Sequence, residues 1–288
     1  MLVRSPVPAT AVLRLSVDNF RDTAQLVAKR LVTRPAHYPQ ILWSVWTVAW
    51  LLLTIAVLIR FDAEAGMSWG RWPTGFIDLT DFFTVFGLGG WYLIPSALLL
   101  VAANLTDWRS LSRRSLMLLY NWTCLAFLML SAVGLAGLAV NLLKYGIGRA
   151  RPVYFNNLGD LSLHPFAMDA RFASFPSGHA TNMGAVFAIV LLLFPQRKYI
   201  ALAFALWVAS TRIFVGAHYP SDTVAGFGLG CAIAVACALV FARLGFIFRR
   251  TTVGLPVRKT TFRLLWSSRK PDRSGAAQQA DFGLEATQ

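Results

Sequence analysis

Ile41-Leu-Trp-Ser-Val-Trp-Thr-Val-Ala-Trp-Leu-Leu-Leu-Thr-Ile-Ala-Val-Leu-Ile59 runs nineteen residues without a charge. At 1.5 Å per residue, a helix of that length covers about 28 Å, close to the hydrocarbon thickness of a bilayer. Working outward from it, residues 84–103, 115–143, 180–194, 199–216 and 222–244 read as further apolar segments separated by polar stretches. Pro95 in the second is tolerable where neighbouring helices cover a kink. The expectation is an all-α polytopic membrane protein with six transmembrane helices.

Composition agrees. The chain is 56% hydrophobic and 14% charged, with a mean hydropathy of +0.55, whereas soluble domains carry about 25% charged residues. A net charge of +14 invites a nucleic-acid reading, but a soluble basic domain would not contain such apolar runs. The positions of the cations account for the charge as membrane orientation, so no nucleic-acid partner is expected. Cys124, Cys231 and Cys237 all lie in apolar segments and read as small buried hydrophobes.

Lys and Arg fall on alternate sides of the predicted segments. Six precede residue 41, three lie in 104–114, two in 196–198 and nine follow residue 242, leaving seven of the 27 elsewhere. The positive-inside rule then places both termini in the cytoplasm. Three units are expected. Residues 1–40 form an amphipathic cytoplasmic segment, with Leu13, Val17, Phe20, Ala24, Val27 and Leu31 along one helical stripe. Residues 41–245 form the six-helix membrane domain, and 246–288 a basic, flexible cytoplasmic tail. The stretches 60–83, 145–178 and 217–221 become loops on the opposite face.

Three clusters converge on that non-cytoplasmic face: Lys144 to Pro152, Pro176-Ser177-Gly178-His179, and Thr211-Arg212 with His218 and Asp222. Charge at a membrane edge is costly, so cations gathered there call for an explanation. Lys144, Arg151 and Arg212 together suit a dense anion, because guanidinium forks match phosphate oxygens. Ser177 can cap the following helix, and Gly178 lets backbone N–H groups approach the anion. Taken singly, each residue also reads as an interfacial anchor, a turn or a helix cap. Two histidines beside three cations suggest phosphoryl transfer without a metal. In that reading His218 would attack phosphorus, Asp222 would orient it, and His179 would protonate the leaving oxygen and then activate water. No cluster supplies the several carboxylates a magnesium site wants, so no metal or cofactor is expected.

These residues resemble the three-part signature of the type 2 phosphatidic acid phosphatase superfamily: Lys-x6-Arg-Pro, Pro-Ser-Gly-His and Ser-Arg-x5-His-x3-Asp. The first two stand unaltered, and the third has Thr211 in place of Ser. The resemblance implies a metal-independent membrane phosphatase. Lys144, Arg151, Ser177, Gly178 and Arg212 hold phosphate, His218 is the nucleophile, His179 the acid and base, and Asp222 the partner of His218. Arg149 falls among the variable motif positions and is given no catalytic role.

Motifs at segment ends match the depth of a headgroup, so the expected substrate is the phosphate or diphosphate of a phospholipid, an isoprenoid or lipid A. A bacterial inner membrane with the site facing the periplasm fits this layout. The aromatic residues of 145–178 serve equally as a pocket rim or as interfacial anchors. Gly226 and Gly230 form a Gly-x-x-x-Gly face, suited equally to packing within the chain or between copies. Alternatives are a lipid phosphotransferase of the same superfamily, or a non-catalytic lipid-binding or transport protein.

Overall fold

The computed structural model describes residues 9–35 and 39–265. The described chain is predominantly helical, with almost no strand. Helix α1 (Ala9–Thr33) is followed by α2 (Trp43–Val57), which widens into a π-turn at Leu58–Asp62 and continues as α3 (Ala63–Ser68). Next come α4 (Thr74–Thr84), a 3₁₀ turn at Val85–Gly87, α5 (Gly90–Asn104) and the long α6 (Arg113–Ile147). After a loop holding the short α7 (Phe155–Leu158), helices α8 (Gly178–Leu193), α9 (Lys198–Phe214) and α10 (Pro220–Leu244) complete the bundle. A small hairpin, β1 (Phe248–Arg249) against β2 (Val257–Arg258), closes the described chain.

Four stretches, Trp43–Ser68, Thr74–Asn104, Arg113–Ile147 and Pro220–Leu244, are long and apolar enough to cross a membrane. Gly178–Leu193 is apolar but shorter, and α9 has 17 residues. The six apolar segments of the sequence thus correspond to four full-length stretches and two shorter helices. Their outer faces are apolar: Trp46, Leu52 and Ile59 on the first stretch and Ile94 and Leu98 on the second are all more than 60% exposed. Such a surface needs hydrocarbon rather than water around it. The protein is a multi-pass membrane protein.

Three boundaries differ from expectation. The stretch 60–83 is largely helical rather than a loop, because its apolar residues pack α4 against α9. The second apolar segment is not one continuous helix; it breaks at Val85–Gly87, where the chain passes His179. The body also does not end at residue 245. Phe246, Ile247, Phe248 and Phe262 are buried in the main core, so the packed unit continues through the hairpin. Residues 266–288 of the expected tail lie outside the described residues.

Helix α8 sits at the centre, flanked by α6, α9 and α10. Small residues let the helices close. A Cβ on Gly226 would lie 2.4 Å from the Ser177 carbonyl oxygen, and one on Gly230 1.9 Å from that of Thr181. The Gly-x-x-x-Gly face of α10 is therefore spent inside the chain, against α8. Ala132, Ala136, Ala185, Ala188, Ala234 and Ala238 fill the same layer with Leu128 and Leu193. The three cysteines are free, and Cys124 and Cys237 are buried as small apolar residues.

Helix α1 is held by polar contacts. Asn19 donates to the carbonyls of Asn104 and Thr106 at 2.9 and 3.0 Å, and Arg30 donates to that of Leu244 at 3.1 Å. Leu13, Val17, Phe20 and Leu31 of the predicted stripe stay exposed. Because backbone occupies the space a side chain would need, Gly230→Val should lower the unfolding temperature in detergent by several degrees. Gly137→Val, at a site with nothing within 4 Å, should change it by no more than one or two degrees from propensity alone.

Candidate active site

Helix α6 ends one turn beyond Lys144 because Gly148 adopts φ +66°, where a Cβ would strike the His164 carbonyl oxygen at 1.8 Å. The chain then doubles back. Ala150 N donates to the Ser162 carbonyl (2.9 Å), His164 N to that of Gly148 (2.7 Å), Arg151 N to that of Arg171 (3.0 Å) and Ser174 N to that of Arg149 (3.0 Å). These bonds fold the first motif back toward the second. Ser177 caps α8, its Oγ accepting from Ala180 N at 3.5 Å, so Gly178 and His179 form the first helical turn. Ser177 N in turn donates to the Asp222 carbonyl at 3.0 Å, which ties the second motif to the third through backbone alone.

At the end of α9, the N–H groups of Ala217 and His218 both donate to the Arg212 carbonyl at 3.1 Å. That turn fixes the His218 backbone against the end of α9 that carries Arg212. Arg212, His218, Lys144 and Arg151 are all near enough to His179 to act on it electrostatically. A Cβ on Gly178 would lie 3.6 Å from Lys144 Nζ, so the glycine leaves room beside the ammonium. Lys144, Arg151, Ser177, Gly178, His179, Arg212, His218 and Asp222 thus occupy one region. Thr211 does not join them: its hydroxyl donates to the Val208 carbonyl at 2.7 Å and meets the Thr84 hydroxyl at 3.1 Å.

Two donors stand out. Arg151 Nε and Arg212 Nε are buried with no hydrogen-bond partner among the described residues. A buried N–H left unpaired costs about 1–3 kcal/mol, more when charged, so these two call for an explanation, and a bound anion would supply one. Burial also holds the Arg151 guanidinium below its ordinary value.

His218 is almost wholly buried. Its Nδ1 lies 2.7 Å from the Ser174 carbonyl oxygen, which can only accept. Nδ1 therefore carries the proton, and Nε2 keeps a free lone pair. Asp222 Oδ2 stands 3.7 Å from Nδ1, an ion-pair rather than a hydrogen-bond distance. It accepts instead from Ser174 Oγ at 2.5 Å and Tyr219 N at 2.9 Å. Asp222 thus orients the imidazole through Ser174 and acts on it directly only as a charge. Burial pushes the imidazole down to about 4, with Asp222 pulling the other way.

Sequence reasoning missed Arg149, Asp62, Ser174 and Ser221. Arg149 is buried, stacked 4.2 Å over the Tyr219 ring. It donates from Nη1 to Asp222 Oδ1 (2.6 Å), from Nη2 to Asp62 Oδ2 (2.8 Å), and from Nε to the Asp160 carbonyl (2.9 Å). Burial works to lower its pKa, and the two carboxylates more than offset that. A cue was available: Asp62 is an acid three residues beyond a nineteen-residue apolar run. The aromatic residues of the 145–178 loop do not gather into one rim. The Phe155 ring packs at Gly66, Phe172 lies 4.1 Å from the His164 ring, and Phe166 is exposed.

A family model described as the PAP2 superfamily matches residues 125–246, which contain all three motifs. The lipid A 1-phosphatase of Rhizobium johnstonii is 38% identical over 78% of this chain and 91% of its own length. The chain belongs to the PAP2 superfamily. The resemblance read from the motifs is thereby borne out. A lipid A 1-phosphatase of Rhizobium etli is 35% identical over 78% of this chain and 96% of its own. Phosphatidylglycerophosphatase B of Bacillus subtilis is 30% identical to this PAP2 chain over 40% of it and 57% of the relative. The crystal structure of a transmembrane PAP2 phosphatidylglycerolphosphate phosphatase from Bacillus subtilis aligns over 77% of this chain and 93% of its own, at 20% identity and TM-score 0.42.

The depressed histidine yields a direct expectation. In a ¹³C-labelled sample, the His218 resonance, assigned by its loss in His218→Ala, should titrate near 4 rather than near 6.5. The ring is then neutral, with Nε2 unprotonated, throughout the neutral range.

Proposed function

We propose that this PAP2 protein is a lipid phosphate phosphatase that removes the 1-phosphate of lipid A through a phosphohistidine intermediate, on the periplasmic face of a bacterial inner membrane. The observation that carries the chemistry is the pair of buried, unpartnered Arg151 and Arg212 Nε donors beside two histidines. The relatives that share most of this chain's length support the substrate.

Phosphate oxygens accept from Arg151 and Arg212, with Lys144 adding charge at the glycine-lined start of α8. His218 Nε2 attacks phosphorus; the N–P bond forms as the P–O bond to the glycosyl oxygen breaks, and His179 gives that oxygen its proton. Water then attacks phosphorus, His179 takes the water's proton, and the N–P bond breaks to release inorganic phosphate. Nδ1–H stays on the Ser174 carbonyl throughout, while the Asp222 charge favours the cationic ring of the intermediate. Three side-chain cations supply the charge neutralisation, so the proposed route is metal-independent.

The fold supports the orientation. Asp222 stands at the start of α10 and the Arg30 contact to Leu244 at its end, about 33 Å away at helical rise. The site and the basic cluster around α1 are thus a bilayer thickness apart, as six crossings with both termini in the cytoplasm require. The exposed stripe of α1 suits contact with the anionic inner leaflet.

The test is phosphate release by detergent-purified protein, with EDTA throughout. Substrates are lipid A 1-phosphate, phosphatidylglycerophosphate, phosphatidic acid and undecaprenyl diphosphate. Release should be fastest from lipid A and unaffected by EDTA. It should be lost in His218→Ala and lowered about 10- to 100-fold or more in kcat/KM by Arg212→Ala. Preference for another lipid would reassign the substrate. Sensitivity to EDTA would overturn the metal-free route, and release that waits on an acceptor lipid would mark a transferase.

A further inference from the structure

Behind His218, two buried carboxylates share one guanidinium. Asp222 and Asp62 are both fully buried, and Arg149 reaches both with separate arms of its fork. We infer that Asp62, outside all three motifs, is a positioning residue for the nucleophile: by taking the second arm of Arg149 it leaves the Asp222 charge available to His218. This rests on the reading of His218 as nucleophile given above.

Every described hydrogen bond to the Asp62 carboxylate comes from a donor. Ser221 N donates to Oδ1 at 3.0 Å, Arg149 Nη2 to Oδ2 at 2.8 Å, and Ser221 Oγ also to Oδ2. The ion pair with Arg149 and these donated hydrogen bonds favour the ionised carboxylate against the burial that opposes it. Arg149 facing Asp222 alone would cancel its charge. Facing two carboxylates, it leaves the cluster with one net negative charge, and Asp222 Oδ2 is the carboxylate oxygen paired with His218 Nδ1, at 3.7 Å.

That charge matters in one step. When Nε2 bonds to phosphorus while Nδ1 keeps its proton, the ring becomes cationic. The electron pair comes from the imidazole, the P–O pair leaves with the glycosyl oxygen, and His179 supplies that oxygen's proton. The other charged groups acting on His218, Lys144 and Arg151, are cations that oppose a positive ring. A preorganised negative charge is most effective where water is excluded.

The geometry of the first membrane stretch serves this contact. Asp62 closes the π-turn Leu58–Asp62, between a half-exposed Phe61 and α3. A π-turn shifts the helical phase and turns a side chain from one face to another, a device frequent at functional sites. The family match begins only at residue 125, so this contact recruits a part of the chain outside it.

Asp62→Asn tests the inference, measured as kcat and KM on the preferred lipid phosphate, with active sites counted by inorganic vanadate binding. The expected result is a fall in kcat per site of about tenfold or more with KM changed less than about threefold. Glu64→Gln, an exposed carboxylate paired with Arg60, should leave both constants unchanged. Asp62→Glu, which restores the charge, should recover part of kcat. A merely structural role would lower the number of vanadate sites and the unfolding temperature but not kcat per site, and that outcome overturns the inference. If Asp62→Asn does not fold, Asp62→Ser decides: it too removes the charge while keeping an oxygen that can accept from Arg149, and an unchanged kcat per site there also overturns the inference. His218→Ala, assayed alongside, separates the two readings: residual turnover in that variant sinks the phosphohistidine route itself, whatever Asp62 does.

Discussion

A guanidinium buried beside two carboxylates is the constraint on which this structure turns. Taking an ion out of water costs several kcal/mol even after relaxation, and the cost falls on each member of a buried group. Arg149 meets it with its fork filled at both ends, its Nε on the Asp160 carbonyl and its face on Tyr219. None of these partners is interchangeable with water. The first membrane stretch, the loop after α6 and the start of α10 can therefore meet only in the arrangement that satisfies all three ions. Asp222, held by hydrogen bonds from Ser174 Oγ, Tyr219 N and Arg149 Nη1 and with His218 Nδ1 at ion-pair distance, inherits its position from that arrangement.

The second constraint comes from the solvent. Between apolar helices in lipid there is little hydrophobic driving force, so close packing of small residues supplies the association. The glycines of α10 place backbone against backbone at α8, and that contact carries the Ser177 N–H to the Asp222 carbonyl. Rigid helix pairing and the charged cluster thus reinforce one another. The first sets the distance between the second and third motifs, and the second sets the angle at which His218 faces between them.

Much of this was legible in the chain. Uncharged runs announced the membrane, and three motifs in order announced the family, because both signals are local and need only spacing. The break at Val85–Gly87 was not legible, since residues 84–103 stay apolar across it and only the packing of His179 and Asn182 against Gly87 explains it. Nor was the folding back of Phe246–Phe262, whose aromatic residues are too few to show a period. Arg149 and Asp62 were missed for a different reason. Each has a bland reading alone, and the partnership spans 87 positions, beyond the reach of any local pattern.

Arg149 and Arg151 are two residues apart, yet their surroundings contrast. One guanidinium is saturated with carboxylates and is fixed before any ligand arrives. The other keeps a buried donor unspent, as does Arg212 across the site. Were Arg151 also paired with an acid, it would offer a phosphate nothing new; were Arg149 unpaired, it would compete with Arg151 for the ligand and release Asp222. Asp62 and Asp222, the buried acids among the described residues, are hydrogen-bonded to Arg149 and not to Arg151 or Arg212, which leaves the two other guanidiniums with donors to spare. In the proposed reaction, the imidazole meets an incoming phosphate on the side of the unpaired arginines and has its developing charge supported by Asp222. That division follows from which arginine the acids hold, and both carboxylates are hydrogen-bonded to Arg149.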